Sequence, residues 1–84
     1  MADQQTAADL QEELARALRR TFTGRGAVTR IAKAVGADRR TASDWYYGRT
    51  PMRTPQFIAL MAASPEFERE ALAIIGAKRA ARSA

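Results

Sequence analysis

The sequence predicts an all-α fold, a compact bundle of five short helices, and three observations carry that expectation. Apolar residues recur at helical spacing through most of the chain, glycine or proline interrupts them at intervals, and no β-branched alternating run is long enough for a strand. The first element is read from Leu10, Leu14 and Leu18, spaced by four, with Ala7 and Ala17 beside them and Glu12, Glu13, Arg16 and Arg19 mostly turned away. This predicts an amphipathic helix over roughly 7–22. Thr6 and Asp9 resemble a capping pair at its start, while Arg16, Arg19 and Arg20 complement the negative end of its dipole. Thr23-Gly24-Arg25-Gly26 then favours a turn.

A second helix is expected from about Ala27, because Val28, Ile31, Ala32 and Val35 fall at i, i+3, i+4 and i+7; it ends at Gly36. Asp38 caps a third, from Arg39 to Tyr47, and Gly48 stands where a left-handed residue closes it. Thr54-Pro55 and Ser64-Pro65 each pair an N-cap residue with a proline at the first helical position, where the missing amide hydrogen costs nothing. They open a fourth helix burying Phe57, Ile58, Leu60 and Met61, and a fifth burying Phe67, Ala71, Ile74 and Ile75. The fifth is expected to end near Gly76, leaving a frayed basic tail over 77–84.

Eighty-four residues predict a single domain, 1–84, ordered over about 6–76 with 1–5 and 77–84 flexible. The chain has no Cys and no His, so neither disulfides nor a metal are expected to support its small core, and oligomerisation is. Its first residues lack the basic start and apolar run of a signal peptide, and no apolar stretch approaches the roughly 20 residues that cross a bilayer. The expected setting is cytoplasmic, with no membrane partner. Net charge is +5 and polarised: four acids (Asp3, Asp9, Glu12, Glu13) and no bases precede Arg16, whereas residues 16–53 hold ten bases against Asp38 and Asp44, a balance of 10 − 2 = +8. With no continuous Lys/Arg run, that block reads as a folded cationic surface suited to a polyanion.

The second and third helices, joined by a tight glycine turn, have the build of a helix-turn-helix. Counted from Val28, Ile31 and Val35 take the fourth and eighth positions, Ala32 the fifth, Gly36 the ninth, Ala37 the tenth, Ala42 the fifteenth and Trp45 the eighteenth. The fifth must be small because the helices cross there, and the ninth favours glycine because the turn needs a positive φ. Through Ile31-Ala32-Lys33-Ala34-Val35-Gly36-Ala37-Asp38, Thr41-Ala42-Ser43-Asp44-Trp45, Gly48 and the later Phe57 and Leu60, the chain resembles the lambda-repressor-like (Cro/repressor type) helix-turn-helix proteins over roughly 10–75. It departs from their pattern in the extended Arg49-Thr50-Pro51-Met52-Arg53 connection and the bulky Trp45-Tyr46-Tyr47.

A step of 100° per residue turns Ala42, Trp45 and Tyr46 to the core side of the third helix and Arg40, Ser43, Asp44 and Tyr47 outward, with Arg39 and Thr41 on the flanks. The resemblance implies that this outer arc enters a major groove of double-stranded DNA, Arg39 and Arg40 leading, with Arg40 placed to grip guanine O6 and N7. Two arginines at a helix N-terminus oppose the macrodipole at about a few tenths of a kcal/mol each, which a purely structural surface has no reason to accept. Asp44, four residues after Arg40, is read as orienting its guanidinium, accepting from cytosine N4, or forming an ordinary surface pair. Trp45 is read as core, not as a stacking platform. Arg25, Thr29, Arg30, Lys33, Arg49 and Arg53, with the free amides opening the second helix, are the expected phosphate contacts.

An enzyme is not expected, since the chain lacks the two side chains most often tuned for acid–base or nucleophilic work and its acids read as solvated. No cofactor is expected either: Gly24-Arg25-Gly26 follows no strand and completes neither glycine-rich phosphate fingerprint. The expectation is a small transcriptional regulator similar to phage or mobile-element repressors, a homodimer on a palindromic operator, with Phe67, Ala71, Ile74 and Ile75 of the fifth helix as the candidate contact stripe and core packing as the expected use of most of them. The rival is an interaction module of the same fold, such as an antiactivator masking a transcription factor, its active surface made by the acidic first and apolar fifth helices.

Overall fold

The apolar stripes close on one another as helices. The computed structural model describes residues 2–83, with side chains from residue 7 onward. It has five helices, α1 (Ala2–Thr21), α2 (Ala27–Val35), α3 (Arg39–Tyr46), α4 (Thr54–Ala63) and α5 (Pro65–Ser83), and no strand among the described residues. α1 packs on α3 and α5, α2 on α3 and α4, and α4 on α5. The central core gathers Leu18 of α1, Ile31 and Ala32 of α2, Ala42 and Trp45 of α3, Leu60 of α4 and Phe67 of α5. Phe67, Leu18, Ile31 and Leu60 are its largest fully buried side chains, each adding roughly 1.5–3 kcal/mol by leaving water. The Phe57 and Phe67 rings meet edge to face at 5.8 Å, locking α4 against α5.

The helix-turn-helix is formed by α2, the turn Gly36-Ala37-Asp38 and α3. Ala32 is buried at the crossing, where a larger side chain would hold the helices apart. Gly36 adopts φ +72°, a left-handed geometry that lets the Ala37 amide donate back to the Ala32 carbonyl at 3.0 Å.

Several local expectations need correction. α1 begins at Ala2, so Thr6 lies inside the helix instead of capping it, and its side chain is outside the described residues. α4 begins at Thr54, with Arg53 as its cap, and Pro55 occupies the second helical position, where the amide is equally unneeded. Here the Arg53 amide donates to Gln56 Oε1 at 3.2 Å. Ser64 does cap α5, its Oγ accepting from the Phe67 amide at 3.1 Å.

Ile58 is 55% exposed and Ile75 44% exposed, not core. α4 has no charged residue to mark its outer face, so periodicity alone gave Ile58 no direction. α5 does not stop at Gly76 but runs to Ser83. Gly76 keeps a negative φ, the following residues are rich in alanine, and Lys78 binds Glu13 of α1 at 2.8 Å, so packing and propensity carry the helix past the glycine.

Candidate nucleic-acid interface

α3 is short, eight residues, and could not hold itself helical in water; its rigidity comes from how it is tied down. At its start the Asp38 carboxylate accepts the Thr41 amide at 2.7 Å. That bond, then the Thr41 hydroxyl and the charge of Arg40, outweigh a slight desolvation and hold the Asp38 carboxyl below its ordinary value of 3.8. Along its inner side Ala42 and Trp45 are buried. At its end two bonds run in opposite directions between α1 and α3. Arg19 Nη1 donates to the Tyr46 carbonyl at 2.6 Å, and the Tyr46 hydroxyl donates to the Phe22 carbonyl at 2.8 Å. Each satisfies a carbonyl that a helix C-terminus leaves open. Gln11 Nε2 adds a third tie, donating to the Gly48 carbonyl at 3.0 Å.

Sequence reasoning missed Arg19 and Gln11 in this role. Arg19 carried a weak signal, a basic residue in the last turn of a helix, which reads as complementing its own helix; Gln11 carried none.

On the outward side Arg39, Arg40 and Tyr47 are exposed, and Ser43 and Asp44 are half-buried. The structure brings these five together on one ridge but pairs Asp44 differently from expectation: no Asp44–Arg40 pair forms. Arg49 takes that place, its Nε 2.9 Å from Asp44 Oδ1, its Nη2 donating to Ser43 Oγ at 3.1 Å and its guanidinium carbon 5.3 Å from the Tyr47 ring centroid. Gly48 makes this possible. At φ +76° it reverses the chain so that the amides of Arg49 and Thr50 both donate to the Asp44 carbonyl, at 2.8 and 3.3 Å, and Arg49 folds back over the last turn of α3.

Of the expected phosphate contacts, Arg25, Lys33 and Arg53 are exposed and Thr29 is half-buried. Among the described residues no carboxylate pairs with Arg25, Lys33, Arg39, Arg40 or Arg53. Arg30 is partly committed, its guanidinium holding the Thr23 carbonyl at 2.7 Å and that of Arg25 at 3.2 Å, so it shapes the glycine turn. A cleft of about 230 Å³ runs between that turn and α3, lined by Gly24, Gly26, Thr29, Arg39 and Tyr47 among others. α2 opens into it with no side-chain cap, and the Val28 and Thr29 amides have no backbone partner among the described residues. Free amides at a positive helix end, faced by Arg39, suit an anion.

The fifth-helix stripe goes mostly to the core, as expected for most of it. Phe67 and Ala71 are fully buried against the chain's own helices, and Ile74 is half-buried against the core. Of the four, Ile75 alone is exposed, and its outward apolar neighbour is Leu72, 55% exposed, three residues earlier on the same face. The helical stripe had merged two faces: i, i+4 and i+7 from Phe67 point inward, whereas Leu72 and Ile75 point out.

No described helix is long and apolar enough to cross a membrane. Comparison of the chain with protein-family models, curated proteins and solved structures finds no match.

Proposed function

We propose that this protein binds double-stranded DNA sequence-specifically through α3 and regulates transcription, as a small repressor or autoregulator of phage or mobile-element type in the cytoplasm. One observation carries the reading: an exposed arginine pair, Arg39 and Arg40, without a carboxylate partner among the described residues, opens a helix clamped at both ends. Arg40 on the ridge reads a base edge, where two donors in a fixed fork match guanine O6 and N7. Arg39, on the cleft at the start of α2, joins the Val28 and Thr29 amides on a phosphate. Arg25, Lys33 and Arg53 add affinity without sequence choice. One short helix reads a short site, so two copies on a palindrome, with half-sites about one helical turn apart, provide useful selectivity. Leu72 and Ile75 are the apolar residues open to such a contact.

The test is a titration of duplexes from the gene's own promoter region, comparing the wild type with Arg39→Ala and Arg40→Ala. Arg40→Ala is expected to cost roughly 1–3 kcal/mol and to relax discrimination at one base pair. Arg39→Ala is expected to weaken all sequences alike and flatten the salt dependence. Absence of wild-type binding at low salt rejects the proposal.

A second reading, masking of a partner transcription factor, is favoured by an apolar groove of about 400 Å³ between α1 and the α3–α4 connection, lined by Leu10, Leu14, Pro51 and Met52 among others. Under it, the doubly substituted Arg39→Ala/Arg40→Ala chain keeps its regulatory activity.

A further inference from the structure

Resting on the DNA-binding reading, we propose that Arg49 sets the hydrogen-bonding polarity of the α3 ridge, making it a specificity-determining residue and not a phosphate contact. α3 contains one carboxylate, Asp44, and on a surface that meets a polyanion it is both a repulsive charge and a hydrogen-bond acceptor. Left open, an acceptor at this position favours the N4 donor of cytosine. Arg49 closes it. Its Nε lies 2.9 Å from Asp44 Oδ1, and the two charges cancel locally.

The same guanidinium donates to Ser43 Oγ at 3.1 Å. A serine hydroxyl that accepts a hydrogen bond keeps its own hydrogen available to donate. Nη1 of Arg49 has no partner among the described hydrogen bonds, and the Tyr47 ring beside the guanidinium steadies its plane. The C-terminal half of the ridge therefore offers donors, from Ser43 and from Arg49 Nη1, beside a neutralised Asp44, where α3 alone would offer a bare carboxylate. Donors select edges bearing acceptors in the major groove, guanine O6 and N7 or thymine O4, and disfavour cytosine.

The experiment selects binding sites from a randomised duplex pool with the wild type, Arg49→Met, and Arg49→Met combined with Asp44→Asn, and then titrates the winning duplexes. Expected for Arg49→Met is roughly tenfold weaker binding to the wild-type site and a shift toward cytosine at one position, as the Asp44 carboxylate is uncovered. Adding Asp44→Asn, which removes the charge and leaves a weaker amide acceptor, is expected to restore affinity to within about threefold and to lessen the cytosine preference, a rescue that a lost phosphate contact cannot show. Arg49→Lys repeats the selection with the charge kept and the planar fork removed, so the question stands even if the methionine variant does not fold; it too is expected to admit cytosine. Unchanged preferences in both variants, with no rescue by Asp44→Asn, overturn the role of Arg49 and leave DNA binding standing. A wild type that binds no duplex overturns both.

Discussion

At the scale of single residues, Asp38 is where charge and helix formation meet. Its carboxylate takes the Thr41 amide at the start of α3, and that bond, followed by the Thr41 hydroxyl and Arg40, holds its pKa below the ordinary 3.8. A carboxyl with a lowered pKa in the folded state stabilises that state fully above its unfolded value. The contribution is lost as pH falls through the lowered folded value, so the window lies below 3.8. Asn caps a helix about as well as Asp but does not titrate. Thermal melts of the wild type and Asp38→Asn, followed from about pH 6 to about pH 2, should therefore lie close together near pH 6 and separate at the acid end, the wild type falling below the variant as it alone loses its cap. An equal gap between the two at every pH would mean that Asp38 contributes nothing through its charge. Tyr46 and Arg19 do for the end of α3 what Asp38 does for its start, with hydroxyl and guanidinium bonds to carbonyls in place of a charged cap.

At the scale of elements, α5 shows best what a glycine means. Gly36 and Gly48 have positive φ and end their helices, whereas Gly76 has helical backbone and would meet nothing within 4 Å if it carried a Cβ. Replacing it with alanine should stabilise the fold by about 0.5–1 kcal/mol, raising the melting temperature by roughly 2–8 °C. A fall in melting temperature would show that α5 breaks at Gly76 after all.

The same contrast explains what the sequence made legible. Val28, Ile31 and Ala32 with Gly36 specify α2 and its turn, because an apolar stripe and a glycine demanding positive φ agree on one geometry. Gly76 gave the same letter without the same backbone, and the tertiary contact that decided it, Lys78 with Glu13, joins residues far apart in the chain. Ile58 was illegible because every face of α4 is uncharged. On the ridge, the exposure of Arg39, Arg40 and Tyr47 followed from the helical step alone, but the partner of Asp44 did not. Spacing favoured Arg40 on the same helix, and only the reversal at Gly48 brings Arg49 back within reach.

At the scale of the whole molecule, the charges divide into two sides with different chemistry. On the α1–α5 side, carboxylates and cations are interleaved and three ion pairs form: Glu12 with Arg16 at 3.7 Å, Glu70 with Arg20 at 2.6 Å and Glu13 with Lys78 at 2.8 Å, while Arg69, Arg79 and Arg82 stand among Glu66, Glu68 and Asp9 without forming one among the described residues. Such exposed pairs contribute about 0–1 kcal/mol each, so they are a means of balancing charge more than a source of stability. Around α2 and α3, Arg25, Lys33, Arg39, Arg40 and Arg53 have no carboxylate partner among the described residues.

A polyanion docking on this second side displaces counterions there and leaves the α1–α5 side, where acids and bases are mixed, untouched. The slope of log affinity against log salt should therefore fall by about 0.9 for each of Arg25→Ala and Lys33→Ala, measured on one duplex over a salt series. Arg20→Ala and Lys78→Ala remove the same formal charge from the molecule and should leave the slope unchanged, since the side that carries them faces away. Equal effects from all four substitutions would make binding a property of net charge alone and remove the reason for assigning it to α3.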